Sequence, residues 1–128
     1  MKQFRLFFSL ILLILLSFNA RLTAQNEQKS DSVSFGRASY YHDKFVGRKT
    51  SNGEIFSQEK FTAAHKTLAL GTYVKVTNLK NRKSVIVKVN DRLPAHSKRT
   101  IDLTKAAARE LNMIRSGLAK VSLEIVEK

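Results

Sequence analysis

Four titratable side chains stand at turns or strand ends of the sequence pattern, beside small residues: Glu54, His65, Asp91 and Asp102. Carboxyl and imidazole groups are the side chains that most often act as general acids and bases. Small neighbours, such as Gly53 before Glu54 and Ala63-Ala64 before His65, allow another backbone or a ligand to approach closely. Proton transfer is therefore the chemistry that these residues favour.

Each of the four also has an ordinary structural explanation. Asp102 precedes a helix-forming segment, where a negative charge complements the helix dipole. Asp91 precedes a Pro-containing loop and fits turn chemistry. His65 fits a buried, hydrogen-bonded histidine, and Glu54 fits a solvated turn residue. Spacing alone leaves both interpretations open for all four residues.

Composition excludes several other kinds of site. The chain has 128 residues, which is the size of one domain, and 43% hydrophobic residues, which is too many for a disordered chain. It contains no cysteine, so disulfides, thiolate metal ligands and a cysteine nucleophile are excluded. Its three histidines leave little material for a histidine metal site. We therefore expect no metal and no cofactor.

The N-terminal residues have the pattern of a secretory signal peptide. Lys2 and Arg5 precede an apolar run over 6–18, which is shorter than the roughly 20 residues of a membrane span. We expect cleavage after Ala24, with Ala20 as a second candidate, although an uncleaved anchor remains an alternative. Residues 25–34 then form a flexible polar leader, and 35–128 form the folded domain.

The partner implied by the formal net charge of +13 depends on whether the protein is exported. A basic cytosolic protein favours nucleic acid as a partner, whereas an exported one meets an anionic envelope polymer or a membrane surface. Nucleic acid is therefore not an expected partner. The predicted location is the periplasm or the cell envelope.

The remaining pattern is that of a small all-β protein. Strands are predicted over 38–41, 73–77, 85–89 and 118–126, with Val121, Leu123 and Ile125 on one face of the last. One helix is predicted over 105–111, with Thr104 as its N-cap and Asn112 in a left-handed conformation after it. Short strands, one short helix and long loops favour a closed barrel.

Several motifs occur in one order along the chain: Gly36-Arg37-Ala38-Ser39-Tyr40-Tyr41, Thr50-Ser51-Asn52-Gly53-Glu54, Thr62-Ala63-Ala64-His65-Lys66-Thr67-Leu68, Gly71-Thr72, Val76-Thr77-Asn78-Leu79, Val89-Asn90-Asp91-Arg92 and Ile101-Asp102-Leu103-Thr104. As a set they closely resemble the rare lipoprotein A (RlpA) family over residues 35–126. This resemblance implies a six-stranded double-psi β-barrel like that of expansins and barwin-like proteins, with one short helix.

The resemblance also implies a function. It predicts an exported, monomeric lytic transglycosylase that cleaves peptidoglycan glycan strands to 1,6-anhydro-muramyl ends, or alternatively a non-catalytic expansin-like module that binds peptidoglycan. The family's catalytic positions map onto Asp91 as the acid, Glu54 and His65. Substrate binding is assigned to Tyr40, Tyr41, Arg92 and Asp102. With no cysteine for the lipid that many relatives carry, no stable membrane anchor is expected after signal cleavage.

The predicted reaction sets conditions on these residues. Asp91 needs a raised pKa to be protonated at neutral pH, through burial or a second carboxylate such as Glu54. Glu54 otherwise positions the substrate, and His65 bonds a carboxylate or relays a proton. Tyr40, Tyr41 and Phe45 are expected to stack on sugar faces. Leu93 stands where relatives usually have glycine, which would allow a positive φ and leave more space beside the acid.

Overall fold

The computed structural model describes residues 33–127, so the predicted signal peptide over 1–24 and most of the predicted leader lie outside it. The elements are β1 (Val33–Tyr40), a 3-10 helix (Asp43–Phe45), β2 (Thr62–His65), β3 (Tyr73–Asn78), β4 (Ser84–Arg92), β5 (Ile101–Leu103), α1 (Lys105–Glu110) and β6 (Ala119–Val126). Within 33–127 no helix has the length and hydropathy needed to cross a membrane.

The six strands form one closed barrel in the order β1-β5-β2-β4-β3-β6. The pairs β1–β5 and β2–β4 are parallel, and the other four pairs are antiparallel. The prediction of an all-β, six-stranded barrel with one short helix is confirmed. Closure leaves no strand edge unpaired, which suits a small fold without disulfides.

Buried and exposed side chains alternate along the longer strands, and the buried ones form the barrel core. On β4 the side chains of Val85, Val87 and Val89 are buried, while Ile86 is exposed between them. The same period on β3 and β6 buries further residues, so the alternating patterns predicted for these strands are confirmed. Ile125 is an exception: it is 48% exposed because it lies near the end of β6.

A second hydrophobic cluster lies apart from the barrel core. Four buried residues form it: Tyr41, Phe56, Ala64 and Leu93. Ala64 belongs to β2, whose preceding residue Ala63 faces the barrel core instead. We call this group the outer cluster. It packs the loops after β1 and β4 against the outside of the barrel.

The helix was predicted accurately because its signals are local. The Thr104 hydroxyl accepts from the Ala107 amide over 3.4 Å, and Asn112 has a φ of 51°, so both expected helix-end residues are confirmed. The helix ends at Glu110, one residue before the predicted end. At the other end of the chain, β1 begins at Val33, so the last two residues assigned to the leader belong to the barrel.

Gly36 on β1 allows Thr100 to approach the strand closely. A Cβ placed at Gly36 would lie 2.1 Å from Thr100 Oγ1 and 2.6 Å from Thr100 Cβ. The Arg37 carbonyl, one residue on, accepts from the Thr100 amide over 2.9 Å, so the two segments cannot separate freely. We expect Gly36→Ala to lower the free energy of unfolding by about 1–3 kcal/mol, measured by urea denaturation. Unchanged stability in the variant would contradict this prediction.

Candidate functional site

A bulge in β4 determines where the side chain of Asp91 points. Ala63 pairs with Val89, but the next residue of β2, Ala64, pairs with Asp91, so Asn90 is an extra residue in β4. Without the bulge, regular alternation would point Asp91, two residues after Val89, into the core. The bulge instead turns it to the outer face, as bulges beside functional sites often do. The Oδ1 atom of Asn90 is buried and has no hydrogen-bond partner among residues 33–127.

The Asp91 carboxylate accepts four hydrogen bonds. The Tyr41 hydroxyl donates to Oδ2 over 2.6 Å. The amide and hydroxyl of Ser51 both donate to Oδ1, over 3.0 and 2.7 Å. The Arg92 amide donates to the same oxygen over 2.9 Å. Four donors around one carboxylate stabilise its ionised form.

Burial and hydrogen bonding have opposite effects on the pKa of Asp91. Burial is the largest single influence and raises the pKa, but the hydrogen bonds from Tyr41, Ser51 and Arg92 together outweigh it, so the net pKa lies below its ordinary 3.8. The expectation of a raised pKa is therefore wrong for the free protein. The ionised carboxylate stabilises the fold above pH 3.8, and this contribution is lost as the pH falls through its lower folded value.

A second carboxylate lies on the same outer face. Strand pairing places Ser39, Asp102, Ala64 and Asp91 side by side across β1, β5, β2 and β4. We call these four residues the outer row. Asp102 and Asp91 flank Ala64, so their Cα atoms are about 10 Å apart, or two strand spacings. The Ala64 side chain between them is buried in the outer cluster, together with Tyr41 and Leu93.

Asp102 is held by a neighbouring cation. Arg99 donates to its two carboxylate oxygens over 2.8 and 3.2 Å, and the Ser39 hydroxyl donates to it over 2.5 Å. This fork geometry fixes the carboxylate and compensates its charge. The side chain of Asp102 is thus held in place within the outer row, and Arg99 compensates its negative charge.

Glu54 lies on the turn that also carries Ser51. It accepts a hydrogen bond from the Asn52 side-chain amide and forms a 2.6 Å ion pair with Lys88. The hydrogen bond from the Lys88 ammonium, followed by that from Asn52, lowers the pKa of Glu54. Glu54 is therefore an ionised, paired carboxylate, and it is not among the groups that raise the pKa of Asp91. The proposal that it supplies that second charge is wrong.

His65 pairs with Arg92 across β2 and β4, next to the Ala64–Asp91 pair. Its Nδ1 accepts the amides of Thr67 and Leu68 over 3.1 and 3.0 Å, so the ring is neutral with its proton on Nε2. Burial, followed by the charges of Arg92 and Lys66, lowers its pKa. Among the described residues His65 bonds no carboxylate, which corrects that part of the prediction.

The side chain of Arg92 forms its hydrogen bonds with backbone carbonyls. Its guanidinium donates to the carbonyls of His65 and Leu68 over 3.3 and 2.5 Å, which holds the turn after β2 against the end of β4. The residue is exposed. Its side chain thus supports the loop beside Asp91, and its assignment to substrate stays a prediction.

The two neighbouring tyrosines point to different sides of β1. Tyr41 is only 8% exposed, packs against Phe56 and donates to Asp91, so it supports the acid rather than stacking on a sugar. Tyr40 packs against the barrel core and donates to the Ile114 carbonyl over 2.8 Å. Phe45 contacts the Tyr41 ring edge-on. The covered ring of Tyr41 does not fit the predicted stacking role, which stays a prediction for the partly exposed Tyr40.

The structure thus gathers Glu54, His65, Asp91 and Asp102 around the C-terminal end of β4 and the outer row beside it. It adds Ser51, which sequence reasoning missed because nothing local marks a contact across 40 residues. Within 33–127 no group of three or more His, Asp or Glu side chains is placed to bind a metal ion. The site offers carboxylates, a neutral imidazole and hydroxyls.

The closed six-stranded barrel with its two parallel strand pairs belongs to the class of double-psi β-barrel domains. Solved structures of this class resemble it: the Streptomyces papain inhibitor (TM-score 0.60, 22% identity, 74% of this chain and 94% of that one) and an apo expansin of Clavibacter michiganensis (TM-score 0.59, 22% identity, 75% and 51%). At this identity the likeness concerns the fold alone.

Sequence comparison identifies the family. The family model described as "Lytic transglycolase" matches residues 33–123. The chain therefore belongs to the lytic transglycolase family, and the resemblance to RlpA proteins is confirmed. It is 49% identical over 105 residues to the "Endolytic peptidoglycan transglycosylase RlpA" of Pasteurella multocida (82% of this chain, 36% of that one) and 52% identical over 104 residues to that of Neisseria meningitidis (81% and 43%). The chain spans less than half the length of these relatives.

Proposed function

We propose that this barrel is an endolytic peptidoglycan transglycosylase of the cell envelope, with Asp91 as its acid. The observation that carries the proposal is the Asp91 carboxylate, which the bulge turns outward and which Tyr41 and Ser51 hold by hydrogen bonds. Relatives about 50% identical are named for this activity. The basic surface attracts an anionic wall polymer, and this attraction weakens with salt.

The proposed reaction needs two proton transfers, both through the Asp91 carboxyl group. Protonated Asp91 donates its proton to the glycosidic oxygen, and the bond from that oxygen to the sugar C1 breaks as an oxocarbenium-like state forms. The C6 hydroxyl of the same muramyl residue then attacks C1 and closes the 1,6-anhydro ring. Its proton returns to the Asp91 carboxylate. No water is consumed, so the reaction needs no second catalytic carboxylate.

Substrate binding supplies the protonated state that the free protein disfavours. Burial already is the largest influence on the pKa of Asp91. A glycan strand lying on the outer row removes more water from the carboxylate and so strengthens that influence. Tyr41 stays a donor throughout, because burial and then the hydrogen bond to Asp91 raise the pKa of its hydroxyl.

The test is digestion of peptide-stripped glycan strands by the protein, with mass spectrometry of the soluble products. We expect fragments that end in 1,6-anhydro-muramyl residues. Products that end in reducing sugars would instead indicate hydrolysis. Full-length glycan after prolonged incubation with folded protein would reject a catalytic function.

A non-catalytic peptidoglycan-binding function is a second candidate, favoured by one observation. Both carboxylates of the outer row are fully engaged in the free protein, Asp91 by four donors and Asp102 by Arg99 and Ser39. Pull-down with insoluble sacculi separates the two functions. Binding that releases no soluble product and is the same for Asp91→Asn would support the binding module.

Removing the Ser51 hydroxyl tests the acid role through pH. Ser51→Ala deletes one donor to the carboxylate but keeps the backbone donor, so the pKa of Asp91 rises and a larger fraction is protonated at neutral pH. We expect a roughly two- to tenfold higher kcat/KM at pH 7 and a rate profile displaced toward higher pH. Ser57→Ala, whose hydroxyl bonds only the Glu59 amide, is the matched control. An unchanged pH profile in Ser51→Ala would contradict the assignment.

A further inference from the structure

A basic groove lies beside the start of β4, at the opposite end of this strand from Asp91. Its volume is about 960 Å³, and among its lining residues are Leu79, Lys80, Arg115, Leu118 and Lys120. The hairpin after β3 and the segment before β6 form its walls. The residue at the far end of β4, Ser84, pairs with Thr77 beside this groove. Asp91 lies seven positions after Ser84, so the groove and Asp91 are about 23 Å apart along β4.

Hydrogen bonds hold the two walls of the groove together. The side-chain amides of Asn78 and Asn81 both donate to the Leu111 carbonyl, over 3.0 Å each. The Leu79 amide donates to the Lys120 carbonyl, also over 3.0 Å. The hairpin is thereby fastened to the end of α1 and to the start of β6. The groove is a preformed feature of the fold.

The groove is lined by both cationic and aliphatic side chains. Residues 78–83 and 111–120 contain five Lys or Arg residues and no Asp or Glu. Among these cations, Leu79 and Leu118 are 46% and 54% exposed. Clustered cations select an anion such as a phosphate. Exposed leucines beside clustered cations favour a partner that carries acyl chains next to its anion, as a phospholipid does.

We propose that this groove docks the protein reversibly on an anionic phospholipid bilayer. Lys80, Arg115 and Lys120 bind headgroup phosphates, while Leu79 and Leu118 enter the boundary between the headgroups and the acyl chains. The contact is peripheral, and it needs no lipid attached to the chain. It leaves Asp91 at the other end of β4, about 23 Å from the groove along the strand. This goes beyond the proposed catalysis and does not depend on it.

The absence of cysteine permits a local test on the full chain. A single cysteine at Leu118→Cys, labelled with an environment-sensitive fluorophore, reports on the groove alone. Val46→Cys is the matched control, because Val46 is also 54% exposed but lies in the loop at the acid end. With phosphatidylglycerol vesicles we expect a blue shift of the label at 118 and none at 46. Phosphatidylcholine vesicles and soluble glycerol phosphate should leave both labels unchanged.

Charge variants in the labelled chain complete the test. Lys80→Gln/Arg115→Gln/Lys120→Gln should weaken vesicle binding about a hundredfold, roughly fivefold for each cation. The control variant Lys44→Gln/Arg48→Gln/Lys98→Gln removes the same charge elsewhere and should weaken it far less. Circular dichroism verifies that each variant is folded. Equal responses of the two labels, equal effects of the two charge variants, or a shift at 118 produced by sacculi but not by vesicles would each overturn the proposal.

Discussion

Asp91→Asn is expected to reduce the formation of 1,6-anhydro-muramyl ends by about 10²- to 10⁴-fold, the range for loss of a general acid. Asparagine keeps the shape of the side chain, and its carbonyl oxygen still accepts from Ser51. It cannot deliver a proton to the glycosidic oxygen. The measurement is the rate at which anhydro products appear from peptide-stripped glycan, followed by mass spectrometry.

The control for this variant is Glu124→Gln. Glu124 lies on β6, which is opposite β2 in the barrel order and far from the outer row. The Glu124→Gln substitution removes one carboxylate charge, as Asp91→Asn does, and should leave the rate of product formation unchanged. Sacculus binding by Asp91→Asn should also be retained, because the surrounding cations are intact. Equal product formation by Asp91→Asn and the unmodified protein would exclude Asp91 as the acid.

The parts of the fold that were predictable from sequence depend on local signals. Alternation identified β3, β4 and β6, and capping residues at Thr104 and Asn112 identified both ends of α1. β2 and β5 were not predicted as strands. All residues of both are buried, on both faces, so neither strand alternates. A fully buried three- or four-residue strand has no periodic signature.

The site was predictable in its residues but not in its interactions. Family motifs indicated Glu54, His65, Asp91 and Asp102, and the structure places them around the end of β4. The contacts that determine the state of Asp91 join it to Tyr41 and Ser51, which are 50 and 40 residues away in the chain. The bulge at Asn90 is equally invisible, because it is defined by the register against another strand.

These contacts explain how a carboxylate can serve as an acid without a raised resting pKa. Tyr41 is buried in the outer cluster, so its hydroxyl is fixed and remains on Asp91 when substrate binds. Ser51 is exposed, so a sugar oxygen can accept its hydrogen bond in place of Asp91. Loss of that donor and loss of water both favour protonation. In the proposed reaction, Asp91 is therefore protonated as a result of substrate binding and not in the free protein.

Leu93→Gly is expected to destabilise the protein without activating it. Leu93 is 8% exposed and packs in the outer cluster with Tyr41, Phe56 and Ala64. Its φ is not positive, so leucine occupies the position that relatives give to glycine without backbone strain. Deleting the side chain leaves a cavity that costs about 2–5 kcal/mol, and glycine adds roughly 0.5–1 kcal/mol of backbone entropy. The free energy of unfolding, measured by urea denaturation, gives this loss.

The same cavity should lower the rate of glycan cleavage in the folded fraction, because Tyr41 then loses the packing that aims its hydroxyl at Asp91. Leu93→Ala separates the cavity from the backbone effect and should show most of both losses. Leu70→Ala, which truncates a leucine that is 40% exposed, should show neither. A Leu93→Gly protein of unchanged stability and higher activity would mean that this leucine obstructs the acid. The packing around Tyr41 argues for the opposite outcome, because the leucine is part of what holds the acid's partner in place.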